Sequence, residues 1–316
     1  MRMTGALRSA ATRLRRGDPI AHAAAFAFGG AVVGLAGLLA WELWRNSALA
    51  RHQFGWGFLV SQTWDPAAGQ FGAAAFVYGT VVSSAIALLF AVPLGVGVAI
   101  FLAELAPRRL SSVAGTLLEL LAAIPSVIYG LIGIAVLVPA MRQWVQPWLK
   151  TATGGFPLFS GPAYGIGLLT AGVVLAIMIV PFIVSVGREV LLAVPREQRE
   201  ASLALGSTRW ESTWKVVLPY ARPGLYGAVF LALGRALGET MAVTMVIGNR
   251  PEIAASLFAP AYSMAAVIAN EFSEATEELY LHALIEVGLV LFALTMVINA
   301  VARGLIAATE RSGGGR

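Results

Sequence analysis

Residues 76–101 read F-V-Y-G-T-V-V-S-S-A-I-A-L-L-F-A-V-P-L-G-V-G-V-A-I-F, a run of 26 residues without a charged side chain. Roughly 20 apolar residues in a helix are enough to cross the hydrocarbon core of a bilayer. Backbone N–H and C=O groups find no water in that core, so a segment that crosses it has to satisfy them internally, as a helix does. The run therefore predicts a transmembrane helix.

Five more runs of this kind lie on either side of the first. Together they predict six spans, at 21–44, 76–101, 113–141, 164–186, 223–248 and 279–306. The runs are too long and too evenly apolar for the alternating strands of a membrane β-barrel. The whole chain is 58% hydrophobic and only 12% charged, far from the composition of a soluble domain. The sequence thus predicts an all-α integral membrane protein in which 21–306 form one six-helix domain.

The basic residues predict which side of the membrane each loop occupies. Sixteen Lys and Arg lie on one side of the proposed spans and five on the other, and Arg235 lies within a span. Because positive loops are retained in the cytoplasm, both termini are expected there, as a basic arm (1–20) and a tail (307–316). The first run, 21–44, is about twice as long as a signal-peptide core, which favours a retained anchor over a cleaved signal.

Several kinds of chemistry are excluded by what the sequence lacks. It has no Cys, and its three His are far apart in the chain. It also contains no H-E-x-x-H, no G-x-S-x-G and no G-x-x-x-x-G-K-[ST] motif. We therefore expect no catalytic site, no metal site and no bound cofactor in this chain, and no P-loop hydrolysis of ATP.

Residues 200–219 form a polar segment between the fourth and fifth predicted spans and read E-A-S-L-A-L-G-S-T-R-W-E-S-T-W-K-V-V-L-P. Pro195 suits the first turn of a short helix that ends near Leu205, and Gly206 suits the left-handed position after a helix end. Thr208 and Glu211 have the spacing of a capping box. The pattern predicts a second short helix after this box.

The second short helix is expected to stop at Pro219. It carries an apolar stripe of Trp210, Trp214 and Val217 at the spacing of one helix face. One interpretation places the stripe against the underside of the membrane domain or among lipid headgroups, where Trp is common. The other interpretation places it in a groove of a different protein.

This loop resembles the EAA loop of ATP-binding-cassette importer permeases. The matching residues are Glu200, Ala201, Gly206, Leu218 and Pro219, while Ser202 and Val216 replace the usual Ala and Ile. The resemblance implies a fold like that of type I importer permeases. It also implies that 195–219 is a coupling loop, with Trp210 and Trp214, that sits in a cleft of a partner ATPase.

The fifth predicted span contains two formal charges, Arg235 and Glu239. A charge at the centre of a membrane helix costs at least about 2.5 to 3.5 kcal/mol on insertion scales. Glu239 lies one helical turn after Arg235, so the two are expected to neutralise each other in part. They form either a purely structural pair or a pair used in function, since a guanidinium gives forked hydrogen bonds to an oxyanion.

Small and hydroxyl residues surround this pair. Gly234 and Gly238 have the spacing that lets a neighbouring helix approach closely. Thr240 and Thr244 add hydroxyl groups one turn apart. Together these residues predict a polar seam at a helix interface or on the wall of a pore.

Residues 233–244, L-G-R-A-L-G-E-T-M-A-V-T, resemble the fifth span of the PstC-like permease subunits of bacterial phosphate importers. The resemblance extends to 101–107 and 119–130. It implies a subunit that moves inorganic phosphate across the bacterial cytoplasmic (inner) membrane, with Arg235, Glu239, Thr240 and Thr244 on the substrate pathway. The implied partners are a PstA-like companion permease, a pair of ATP-binding subunits that hold ATP and Mg, and a periplasmic or lipid-anchored phosphate-binding protein.

Alternatives stay open at this stage. Sulfate or molybdate would suit the same Arg, since tetrahedral oxyanions share their size and hydrogen-bonding groups. A secondary anion transporter or channel would also use an intramembrane Arg–Glu pair, but it would not need an EAA loop. Three further carboxylates are expected to be at helix contacts or in gating (Glu119 and Glu286) or at a solvated surface (Glu104). Residues 253–268 are interpreted as a surface or re-entrant helix, and 154–162 as a loop that touches the binding protein.

Overall fold

The structure of the chain is a computed structural model that describes residues 18–313. Most of the predicted basic arm, 1–20, and the last three residues of the predicted tail lie outside the described part. The helices, in chain order, are α1 (Asp18–Asn46), α2 (Ala48–Phe54), α3 (Gly57–Val60), α4 (Ala74–Leu105), α5 (Arg108–Ala122), α6 (Ser126–Ala152), α7 (Leu168–Leu192), α8 (Arg196–Ala204), α9 (Arg209–Leu237), α10 (Met241–Ile247), α11 (Met264–Glu271) and α12 (Glu278–Gly313).

Six of the helices in the described residues are long and apolar enough to cross a membrane: α1, α4, α6, α7, α9 and α12. Between residues 18 and 313 the chain forms no β-strand, only isolated bridges. The all-α fold class with six spans is therefore confirmed.

Helix α7 lies at the centre of the bundle. Of its most apolar stretch, 67% of the residues are buried, whereas none of the corresponding stretch of α1 is buried. Helix α4 packs tightly against it: a Cβ added at Gly95 would lie 2.7 Å from Ile183, and one added at Gly172 would lie 2.4 Å from Ile86. In one close approach the glycine belongs to α4 and in the other it belongs to α7, and together they hold the two helices as a unit.

The predicted third span, 113–141, is two helices in the structure. Helix α5 ends at Ala122, and α6 begins at Ser126 directly after Pro125. Proline lacks an N–H, and its ring disfavours a helical conformation at Ile124 before it. The helix that crosses the membrane is therefore α6, which extends to Ala152.

The predicted fifth span, 223–248, also differs from the structure. Helix α9 starts well before it, at Arg209, and ends at Leu237. Pro219 does not stop this helix, because the five residues Thr213–Val217 before it form a wider π turn. Such a turn shifts the hydrogen-bond pattern and makes room for a residue without an N–H, and Pro219 then occupies the first turn of the α-helical part.

A compact cluster closes the end of the bundle opposite α8. The Trp64 ring packs edge-on against Phe71, and Phe71 stacks on Tyr280. Glu271 accepts hydrogen bonds from the Trp64 indole N–H and the Tyr280 hydroxyl, both at 2.7 Å. Helix α11 covers only the last part of the segment 253–268, and the chain before it is irregular.

Candidate functional site

The loop after α7 folds as its local signals predict. Helix α8 begins after Pro195 and ends at Ala204, and Gly206 has a φ of +87°. The Thr208 hydroxyl accepts the Glu211 N–H at 3.2 Å, and the Glu211 carboxylate accepts the Thr208 N–H at 2.9 Å. This reciprocal pair is the expected capping box, and it fixes the start of α9.

The tip of this loop presents an exposed apolar residue that the sequence interpretation did not single out. Leu205, between α8 and Gly206, is 89% exposed. Glu200, Ala201 and Gly206 are also exposed, whereas Ser202 is buried against the bundle. Leu205 thus shares the exposed tip of the loop with Glu200, Ala201 and Gly206. The sequence feature that could have indicated this exposed position is a Leu directly before the Gly predicted to have a left-handed conformation.

The predicted stripe of Trp210, Trp214 and Val217 is divided between two environments. Val217 is buried in a hydrophobic cluster formed by α4, α7 and α9, whereas the two indoles are 53% and 48% exposed. The indoles contact each other edge-on, with ring centroids 5.5 Å apart. They line an apolar groove of about 700 Å³ between α4 and α9, together with Phe101 and Leu218. Val217 is thus a core residue of this chain, whereas the half-exposed Trp210 and Trp214 leave an apolar groove open beside the loop.

The expected pairing of Arg235 with Glu239 is wrong. Among the ion pairs of residues 18–313, none joins these two side chains. Helix α9 ends at Leu237, and the chain turns at Gly238, so the one-turn spacing of a continuous helix is lost. Glu239 instead accepts the Ala242 N–H at 3.2 Å and caps α10.

The guanidinium of Arg235 is left exposed on the surface of α9. It lies near Tyr129 of α6, whose hydroxyl donates to the Leu121 carbonyl at 2.7 Å. An exposed cation with forked donors near the end of a membrane helix can bind an anion or a partner chain.

The two predicted hydroxyl groups are already committed to the backbone. Thr240 donates to the Gly238 carbonyl at 3.3 Å, and Thr244 donates to the Thr240 carbonyl at 2.8 Å. A hydroxyl has one proton to donate, so in this arrangement neither can also donate to an anion. Arg235 is therefore the strong donor of the four residues predicted to line the pathway.

Among the described residues, no helix makes the expected close approach at Gly234 and Gly238. A Cβ added at Gly234 would meet nothing within 4 Å, and one at Gly238 would meet only the Gly234 carbonyl at 3.7 Å. Gly227, two turns earlier on the same face, is also open. We call this surface, with Gly227, Gly234, Gly238 and Arg235, the open face of α9.

The remaining carboxylates occupy three different environments. Glu119 is exposed on α5. Glu286 is only 5% exposed on α12, and its Oε2 has no hydrogen-bond partner among the described residues. Glu104 differs from its expected solvated position, because its side chain is 11% exposed and pairs with Arg199 at 2.8 Å.

Residues 91–312 match the protein family described as the binding-protein-dependent transport system inner membrane component. The chain belongs to this family. The permease is also similar to curated relatives over most of its length. It is 51% identical over 293 residues to the phosphate transport system permease protein PstC of Mesorhizobium japonicum. The aligned residues cover 92% of this chain and 90% of that protein. It is 50% identical over 265 residues to the PstC protein of Pasteurella multocida, with 83% and 82% covered.

Two solved structures have the same fold as the permease. One is a bacterial ABC transporter involved in import of the acidic polysaccharide alginate, with a TM-score of 0.54, 17% identity and coverage of 86% of this chain and 95% of that chain. The other is the inward-facing MetNI methionine ABC transporter, with a TM-score of 0.52, 20% identity and coverage of 75% and 96%. The predicted type I importer permease fold is confirmed. The permease is a multi-pass inner-membrane protein.

Proposed function

We propose that the permease carries inorganic phosphate across the bacterial cytoplasmic membrane as one subunit of an ATP-driven, binding-protein-dependent importer. The observation that carries the proposal is the 51% identity to a named phosphate permease over about nine tenths of both chains. A match of that extent leaves little of the chain for a different fold or site. The exposed guanidinium in α9 supports the same conclusion from chemistry.

In this proposal Arg235 contacts the anion. Glu239 stabilises the backbone next to Arg235 but does not neutralise its charge. Glu239 is bound to the start of α10, so it does not hold the guanidinium. A single cation that is not locked in an ion pair can receive phosphate and release it again, which conduction requires. Thr240 and Thr244 stabilise the backbone at the break between α9 and α10, because their hydroxyls donate to backbone carbonyls there and not to the anion.

A PstA-like companion permease is proposed to complete the pore along the open face of α9. An added Cβ at Gly227 or Gly234 would have free space, so the surface of this chain is recessed there. Recessed glycine positions allow a second helix to pack closely in a membrane. The companion would thereby bring its own wall next to Arg235.

ATP hydrolysis is assigned to a pair of partner subunits that bind ATP and Mg, because the sequence holds no phosphate-binding loop. The loop 195–219 is proposed to face the cytoplasm, as do both termini, in keeping with the distribution of Lys and Arg. Its contact with the ATPase is proposed to involve Glu200, Ala201 and the exposed Leu205. ATP binding would close the ATPase pair and rock the helices, so that the pore opens outward.

A periplasmic or lipid-anchored binding protein is proposed to deliver phosphate at the opposite end. The segments of this chain at that end are too short to form an independent binding domain. The cluster around Glu271 gives that end a rigid surface, because Trp64 and Tyr280 are both bonded to the same carboxylate. A rigid surface suits repeated docking of a soluble protein.

The proposal is tested by reconstituting the permease with its copurified partners in proteoliposomes and measuring uptake of radiolabelled phosphate. We expect uptake to require ATP, the ATPase subunits and the binding protein, and to persist in excess sulfate or molybdate. Uptake that survives removal of ATP and of the ATPase would identify a secondary anion transporter instead. Equal transport of sulfate or molybdate would show that phosphate is not the specific cargo.

A further inference from the structure

Arg199 lies on α8 directly before Glu200, yet its side chain is directed into the protein. The side chain is only 20% exposed, and the Glu104 side chain that it meets is 11% exposed. Both residues belong to a part of the chain where charges ordinarily remain in water. An ion pair that is this well shielded is screened little by salt.

The guanidinium grips the Glu104 carboxylate with two of its nitrogens. Nη2 donates to Oε1 at 2.8 Å, and Nε lies 3.3 Å from both carboxylate oxygens. Glu104 belongs to the π turn Phe101–Leu105 at the end of α4. This forked contact therefore joins α8 to α4 in a defined geometry.

The same guanidinium also closes the end of α7. Nη2 donates to the Leu191 carbonyl at 2.7 Å, and Nη1 donates to the Val194 carbonyl. The last carbonyls of a helix have no partner within the helix, and they carry partial negative charge. Arg199 thus adds a hydrogen bond and positive charge at Leu191 in the last turn of α7, and a second hydrogen bond at Val194 just after the helix.

Farther from α8 along the bundle, α4 and α7 are packed together as one rigid unit. The close approaches at Gly95 and Gly172 leave no room for the two helices to slide past each other. Helix α7 in turn packs on α10, where Val243, Val246 and Ile247 are buried in the same core. A contiguous set of contacts thus runs from α8 to the helix that Glu239 caps.

We infer that Arg199 is a positioning residue that transmits movement of the ATPase contact loop to α4 and α7, because the direct connection from α7 to α8 is only the three residues 193–195 and does not by itself fix the angle between the two helices. The inference rests on the proposed function of 195–219 as that contact loop. Without these contacts of Arg199, which we call the clamp, α8 can pivot with the ATPase about residues 193–195 while α4 and α7 stay behind. ATP would then be hydrolysed without phosphate being moved.

The test measures phosphate transported per ATP hydrolysed in proteoliposomes. For Arg199→Ala we expect the ATPase subunits to copurify and hydrolysis to continue, while phosphate moved per ATP falls by about tenfold. Arg109→Ala removes an exposed arginine at the same end of the bundle and is expected to leave the ratio unchanged. An unchanged ratio in Arg199→Ala overturns the inference.

A cross-linking variant decides the case if Arg199→Ala fails to assemble. The chain has no Cys, so Glu104→Cys with Arg199→Cys, combined with Cys-free partner subunits, introduces one reactive pair. A reversible bis-thiol reagent with a spacer as long as the two lost side chains replaces the clamp covalently. We expect low coupling before bridging, recovery on bridging and loss again after reduction. Bridging that leaves coupling low overturns the inference.

A separate variant distinguishes failure of the clamp from failure of the proposed loop function. Leu205→Asp removes the exposed apolar contact and leaves the clamp residues in place. If Leu205→Asp and further substitutions at Glu200 and Ala201 leave ATPase binding intact, the loop is not the contact surface, and the underlying proposal is wrong. If those variants lose the ATPase while Arg199→Ala keeps normal coupling, only the clamp inference fails.

Discussion

Two arginines near opposite ends of the loop–α9 segment differ in almost every physical respect. Arg199 is largely buried, and its guanidinium is bonded to a carboxylate, to a carbonyl in the last turn of α7 and to a carbonyl just after that helix. Arg235 is exposed beside open glycines, and none of the ion pairs among the described side chains of residues 21–307 includes it. A satisfied guanidinium holds structure, whereas an unsatisfied one in a membrane helix is ready for a ligand or a partner.

The largest effect is expected at the unsatisfied arginine. Arg235→Ala should lower phosphate uptake by about 100-fold, because a charge-assisted hydrogen bond contributes about 1.5 to 3 kcal/mol. Arg235→Lys should retain part of the activity, since it keeps the charge but loses the fork. Uptake of labelled phosphate is measured after confirming that the complex assembles.

The matched control for this prediction is Arg222→Ala. Arg222 is an exposed arginine of the same helix, more than three turns earlier, and it lies outside the open face of α9. It should leave uptake near normal. Normal uptake by Arg235→Ala would remove this residue from the substrate pathway and erase the contrast between the two arginines.

A smaller effect is expected at the tip of the loop next to the satisfied arginine. Leu205→Asp should weaken binding of the ATPase subunits by about 30-fold, because burial of a Leu side chain is worth about 1.5 to 3 kcal/mol. The dissociation constant is measured with purified ATPase and the permease complex in nanodiscs. Leu158→Asp, at a partly exposed Leu outside the loop, serves as the control and should bind normally.

The contrast between α4 and α9 gives the next prediction. Gly234→Leu has free space within this chain, so the permease alone should insert and fold normally. If the companion packs on the open face of α9, the larger side chain should weaken its association by about tenfold, the cost of overpacking. Association is measured by energy transfer between labelled subunits in nanodiscs.

Gly95→Leu is the opposite case, because its Cβ alone would already lie 2.7 Å from Ile183. This variant should lower the yield of folded permease even without the companion. Unimpaired association of Gly234→Leu with the companion would mean that the open face of α9 is covered by lipid and not by a helix.

The parts of this molecule that could be predicted from sequence are those set by neighbours along the chain. The six spans follow from long apolar runs, and the capping box follows from a three-residue spacing. The breaks at Pro125 and Gly238, and the passage of α9 through Pro219, depend on how the bundle compensates for lost backbone hydrogen bonds.

The clamp between Arg199 and Glu104 could not be predicted in this way, because its partners are 95 positions apart. Each residue alone has the sequence context of an exposed charge beside a membrane. The expected pairing of Arg235 with Glu239 failed for a related reason. It assumed a continuous helix, and a break of one turn was enough to redirect the carboxylate to Ala242.

The smallest effect is expected at the start of α9, where the loop held by Arg199 passes into the span that carries Arg235. Thr208→Ala removes the acceptor for the Glu211 N–H and should destabilise this helix start by about 1 kcal/mol. Hydrogen exchange of the first amides of α9 should become about fivefold faster as a result, while amides near Arg235 stay unchanged. Ser207→Ala, one residue earlier, should leave the exchange rates as they are. Faster hydrogen exchange along the whole of α9 would contradict the comparison. It would show that the segment near Arg199 and the segment near Arg235 open together as one cooperative unit.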